Sequence, residues 1–95
     1  MHVLAIRIDL HLPEARSLKA KRSVVRPIVD GIRARHRISV AEVDHQETWQ
    51  LSAIGAAVVS GSAATCTSVA DEIERFVWSR PDVEVLGIER TWMEL

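Results

Sequence analysis

Ile38-Ser-Val-Ala-Glu-Val-Asp-His-Gln-Glu-Thr-Trp-Gln-Leu-Ser-Ala-Ile-Gly-Ala-Ala-Val-Val-Ser60 is the stretch that decides the fold. Two strand-like runs, 38–43 and 49–60, follow one another with only a polar turn between them. Residues 53–59 are apolar at every position, so this strand needs cover on both of its faces. Upstream, Leu4, Ile6, Ile8, Leu10 and Leu12 alternate with Arg7, Asp9 and His11, the period-two pattern of a strand with one buried face over residues 3–12. Pro13 ends that strand. Ser17 is placed to cap a helix whose stripe is Leu18, Val25, Ile28, Val29 and Ile32. Pro27 and Gly31 interrupt its pattern and predict a kink or an early end.

Downstream, Ser62 or a neighbour starts a second helix with Cys66, Val69, Ala70, Ile73, Phe76 and Val77 turned inward. Arg80-Pro81-Asp82 closes it, and Val83 to Met93 reads as a last strand. The order βαββαβ predicts an α+β, ferredoxin-like sandwich: one domain spanning 1–95, a four-stranded antiparallel sheet, and two helices on one face. Two helices leave the other sheet face open. Its small central residues therefore predict a homo-oligomer built through that face, with Trp78, opposite the inward stripe of its helix, as a further contact.

Composition narrows the class. With 47% apolar and 26% charged residues the chain matches an ordinary globular domain. A single cysteine excludes a disulfide framework or a Cys-based zinc site within one chain. No run has the length and uncharged character of a membrane span, and Arg7 and Asp9 interrupt any signal-peptide pattern. A cytoplasmic protein with no membrane partner, cofactor or metal is expected. The net charge of −1 conceals an asymmetry, with most of the basic residues in the first half of the chain and most of the acids in the second. This fits either attraction between the halves or a basic surface that meets an anionic partner.

The turn concentrates chemically capable side chains: Asp44, His45, Gln46, Trp49 and Gln50 occupy a place where connectors normally carry Gly, Pro, Asn or Ser. It completes no known constellation. His45-Gln-Glu47 matches half of a zinc-deaminase signature, but the Pro-Cys-x-x-Cys half is absent. An RNA-recognition motif needs aromatics where this chain has Ala53-Ile-Gly-Ala-Ala57, and a metallochaperone loop needs a cysteine pair where it has His11-Leu-Pro-Glu-Ala-Arg16. Asp44 and His45 are adjacent in sequence, so their side chains diverge, and no nucleophile accompanies them. His36, on the inner stripe, reads as a satisfied helix-end histidine and Cys66 as a core residue. Topology puts the turn, His11, Arg16 and the start of the first helix at one end of the sheet. The clearest electrostatic pattern is on that helix: Arg16, Lys19, Arg22, Arg26, Arg33 and Arg37, of which the last five fall on a single flank beside the buried stripe. A ridge of this kind suits phosphate-bearing partners.

Three stretches together resemble one family: Leu10-His-Leu-Pro-Glu-Ala-Arg-Ser-Leu-Lys-Ala-Lys-Arg22, Val40-Ala-Glu-Val-Asp-His-Gln46 with Trp49-Gln50, and Ser79-Arg-Pro81 with Val83-Glu-Val-Leu86. They are similar to the YlxP-like proteins, a bacterial family classed as a domain of unknown function, and the similarity covers nearly the whole chain. The resemblance implies a compact ferredoxin-like domain that is oligomeric. It also implies a role near the ribosome, because genes of the family lie among those for translation initiation and ribosome maturation factors. The chain departs from the family pattern at Ala20, where an acid would complete a capping box with Ser17, at Glu47-Thr48, and at Pro27. The expectation is a non-catalytic binding module for ribosomal RNA or a ribosomal particle. An oligomeric small-ligand or regulatory domain comes second, and a hydrolase-type enzyme using Asp44 and His45 third.

Overall fold

The computed structural model describes residues 1–94. β1 (His2–His11), α1 (Leu18–His36), β2 (Ser39–Asp44), β3 (Leu51–Ser60), α2 (Ala63–Trp78) and β4 (Glu84–Met93) follow in that order. The strands form one antiparallel sheet in the order β2-β3-β1-β4. This is the ferredoxin-like arrangement that the two successive strands imply. β1 and β2 run the same way with β3 between them, so the β2–β3 turn and the exit of β1 share one end of the sheet, and His11 pairs with Leu51.

Alternation along β1 sends Leu4, Ile6, Ile8 and Leu10 under the helices, each at most 2% exposed. They meet Val25, Ile28 and Ile32 from α1 and Cys66, Ala70, Ile73 and Val77 from α2, with Val40, Ile54, Ala56 and Val58 closing the core. Both helix starts are capped as their sequences suggest. Ser17 Oγ accepts from Ala20 N at 3.0 Å, and Ser62 Oγ accepts from Thr65 N at 3.2 Å. The serine half of the first capping box therefore works although Ala20 supplies no return bond.

α1 neither breaks nor ends early at the two residues that weaken its pattern; it is one helix of 19 residues. Pro27 lies on the exposed side, where water can reach the carbonyl it leaves unpaired. Gly31 has a packing reason: a Cβ built there would stand 2.7 Å from the ring tip of Phe76, so the glycine is the seat on which α2 presses its aromatic ring. Arg37 ends the helix in the left-handed conformation (φ 52°), its N–H donating to Arg33 O at 2.8 Å.

Ala5, Ser39, Ala41, Gly55 and Ala57 line a shallow apolar depression of about 310 Å³ at the centre of the sheet. Toward the turn end of the helix-free face an ion network crosses three strands. Arg7 bonds both oxygens of Asp9, at 3.2 and 3.1 Å, and reaches Asp44 at 3.1 Å. Ala53, flanked in register by Asp9 and Asp44, is fully buried although it points away from the helices. The two sheet edges differ. β2 is short and irregular between Glu42 and Asp44, and side chains occupy its carbonyls: Arg33 donates to Val40 O at 2.7 Å and Gln46 to Glu42 O at 3.4 Å. β4 is a ten-residue edge with Leu86, Trp92 and Met93 exposed.

Candidate nucleic-acid interface

Lys21 organises the turn end of the molecule. It lies in series with Leu18, Val25, Ile28 and Ile32 on the inward stripe and is only 2% exposed. Such burial of an ammonium requires partners that replace water. Its Nζ donates to the carbonyls of His45 and Thr48, the latter at 2.8 Å, and pairs with Glu42 Oε2 at 3.0 Å. Glu42 in turn accepts from Ser52 Oγ at 2.5 Å. One cation from α1 thus holds the main chain of the β2–β3 turn and an acid on β2.

The turn residues divide once placed. His45 adopts φ 63°, which turns the chain, and Thr48 N closes it on His45 O at 2.9 Å. Asp44 faces the open side, where its carboxylate accepts from the His45 amide at 2.8 Å and from Arg7. Those two bonds hold its carboxyl below the usual carboxylate range, and the carboxylates of Asp9 and Asp44 together push the Arg7 guanidinium pKa up. Gln50 points the other way, donating to Pro13 O at 3.3 Å and Ala15 O at 3.2 Å, while its own carbonyl accepts from Leu12 N at 2.9 Å. It fastens the turn to the loop that leads into α1. His45 is half-buried, and Trp49 stands 52% exposed. The end of the sheet also gathers His11, whose Nδ1 lies 3.5 Å from Glu84, and Arg16, which donates to Pro13 O at 2.8 Å.

Between α1 and the short β2 edge runs a groove of about 460 Å³. Leu18, Val25 and Val29 make its apolar part, Arg22, Arg26 and Arg33 its basic wall, and Gln46 its end by the turn. The groove also holds Asp30 and Glu42, and both acids are engaged: Asp30 with Arg33 at 3.3 Å, Glu42 with Lys21. Arg33 is spent on Asp30 and on the β2 edge. Arg37 ends the helix through its backbone, and its exposed side chain has no partner among the described residues. Lys19, Arg22 and Arg26 lie together on the flank. They are exposed, share a second, shallower depression beyond the groove with Ser23 and Pro27, and have no carboxylate partner among the described residues. The ridge read from the sequence is thus mixed: Arg33 is engaged in the fold, Arg16 is tied to its own loop, Lys19, Arg22 and Arg26 share an exposed depression, and Arg37 stands apart at the helix end.

Lys21 is the residue that charge-counting misses, because a lysine in a basic helix reads as one more solvated charge. The signal was positional: it falls on the buried stripe, where an ammonium must find partners.

Comparison with known proteins bears on the family and the fold. The family model described as "Protein of unknown function (DUF503)" matches residues 3–90. The Bacillus subtilis (strain 168) "Uncharacterized protein YlxP" is 32% identical over 79 residues, covering 83% of this chain and 86% of that relative. Among solved structures, the solution NMR structure of a de novo designed protein with a ferredoxin fold superposes with a TM-score of 0.55 over 100% of this chain and 88% of the design. At 12% identity that likeness concerns the fold alone. Family model and bacterial relative together place the chain in the DUF503 family, whose function is unknown.

Proposed function

We propose that the chain is a non-catalytic binding module that holds RNA, of the ribosome or its precursors, along the β2-facing flank of α1. The observation that carries this reading is the trio Lys19, Arg22 and Arg26, exposed, on one helix flank and without an intramolecular acid among the described residues. Uncommitted cations attract phosphates and release condensed counterions when they bind. The acids that would oppose a polyanion in the groove are already neutralised by Lys21 and Arg33. Apolar Leu18, Val25 and Val29 beside the arginines offer cover for a sugar or base. The hydrolase alternative loses ground because Asp44 is committed to Arg7 and to its neighbour's amide and does not orient the His45 ring. Co-sedimentation with ribosomal subunits across a salt series tests the reading. Salt-sensitive binding lost on reversing Arg22 and Arg26 to Glu supports it; binding that survives the reversal moves the site elsewhere.

Self-association through the helix-free sheet face accompanies this proposal. The central depression is lined by small apolar residues, and Val43, Val59 and Met93 stand exposed by 49, 61 and 51%. Ala57 points out of this face whereas Ala56 faces the core, so Ala57→Arg should lower the mass seen by light scattering without unfolding the subunit. A parent protein that is monomeric at micromolar concentration removes the proposal.

A further inference from the structure

We propose a second anion site, for the phosphoryl group of a small molecule, in the depression of about 650 Å³ that Arg35, Arg75 and Arg80 share between the C-terminal ends of α1 and α2. It lies on the α2-facing flank of α1, away from the groove beside β2, and stands whether or not the RNA reading does.

Three arginines line it without a bonded acceptor among the described residues. No hydrogen bond or ion pair reaches the side chain of Arg35, Arg75 or Arg80 among the described residues, and Arg80 Nε is buried with no partner. Buried donors are normally paired, so an orphaned guanidinium nitrogen marks a place for an acceptor the chain does not supply. Among the described residues none of the nearby acids bonds an arginine of the cluster. Glu72 lines the depression with its carboxylate 3.8 Å from His36 Nδ1, Asp71 and Glu74 bind Arg90 of β4, and Asp82 Oδ1 is itself buried without a partner.

Helix-end compensation does not account for the cluster. The last carbonyls of α2 are already satisfied by its own continuation, with Ser79 N on Arg75 O at 3.1 Å, Ser79 Oγ on Phe76 O at 2.6 Å and Arg80 N on Val77 O at 3.1 Å. Two of the guanidiniums are held by the ring of Phe76, and Arg75 lines the same depression. Arg35 lies 4.6 Å and Arg80 6.0 Å from its centroid, and the ring itself is fixed on Gly31. Repulsion among the three is offset by a ligand carrying several anionic oxygens, and guanidinium forks match phosphoryl geometry. Because Arg35 covers the ring, no base can stack on it. The site therefore recognises the charged group and not a nucleobase.

Titration with inorganic pyrophosphate at low salt, followed by the arginine Nε–H resonances of the intact protein, tests this. Saturable shifts confined to Arg35, Arg75 and Arg80 are expected. Arg75→Gln and Arg80→Gln should each weaken binding about tenfold or more, the scale of one charge-assisted hydrogen bond. Arg22→Glu with Arg26→Glu should leave it unchanged. Arg75 is exposed, so its variant tests the site even where Arg80→Gln disturbs the turn after α2. The proposal is overturned if pyrophosphate moves none of the three resonances, if the Gln variants bind like the parent, or if the α1 reversal abolishes binding.

Discussion

Replacing Lys21 by Met removes one ammonium and keeps most of its apolar stem in the core. The His45 and Thr48 carbonyls then lose their donor, and Glu42, whose side chain is only 22% exposed, keeps its charge beside Ser52 alone. Removing one member of a buried pair costs about 3–5 kcal/mol. The turn carbonyls can recover water and Glu42 retains its Ser52 bond, so about 2–3 kcal/mol is expected. For a domain of this size that lowers the melting temperature by roughly 10–20 °C. Urea unfolding at neutral pH gives the free energy directly. The double variant Lys21→Met with Glu42→Gln should be less destabilised than the sum of the singles by about 1–2 kcal/mol, because the second change removes the stranded charge. A loss below about 1 kcal/mol for Lys21→Met, or strict additivity, would refute the claim that this lysine holds the turn.

Three further outcomes follow from the same geometry. Gly31→Ala should cost about 1–2 kcal/mol in urea unfolding, since the new methyl group meets the Phe76 ring and forces it off its seat; an unchanged midpoint would mean that the ring moves freely. His45→Ala should leave stability within about 0.5 kcal/mol by thermal melting, because the turn uses the residue's carbonyl and backbone angle and not its imidazole. Asp44 has a lowered pKa in the folded state, so its contribution is present above the ordinary carboxylate pKa and is lost as pH falls through the folded value. Asp44→Asn should accordingly be less stable than the parent at pH 7 and converge with it in the acid limb; a gap that persists at low pH would assign the effect to something other than the charge.

Much of this architecture is legible in the sequence, because period two in residues 3–12 and the unbroken apolar run 53–59 each admit few structures. Ser17 and Ser62 announced both helix starts. Pro27 and Gly31 misled in one direction: propensity penalises them, but an exposed proline can be hydrated and a glycine that seats Phe76 is rewarded by packing, and neither circumstance is visible along one helix. The site was less legible. Periodicity puts Arg22, Arg26 and Arg33 on one flank, where all three line the groove, but it could not separate Arg22 and Arg26, which stay uncommitted, from Arg33, which seals the β2 edge. Nor could it show that Gln50 fastens a loop, or that Arg35, Arg75 and Arg80, drawn from two helices and the turn beyond, line one depression. Those facts depend on tertiary neighbours far apart in sequence.

The central claim concerns the uncommitted flank of α1, and its most direct test is RNA binding by the parent and the Arg22→Glu, Arg26→Glu variant over a salt series. If Lys19, Arg22 and Arg26 each meet a phosphate, the slope of log K against log salt is about −2 to −3 for the parent. The double reversal then abolishes binding while circular dichroism and melting temperature stay unchanged. A parent protein that binds neither RNA nor ribosomal particles at low salt, or a variant that binds with the parent's affinity and slope, would contradict the account.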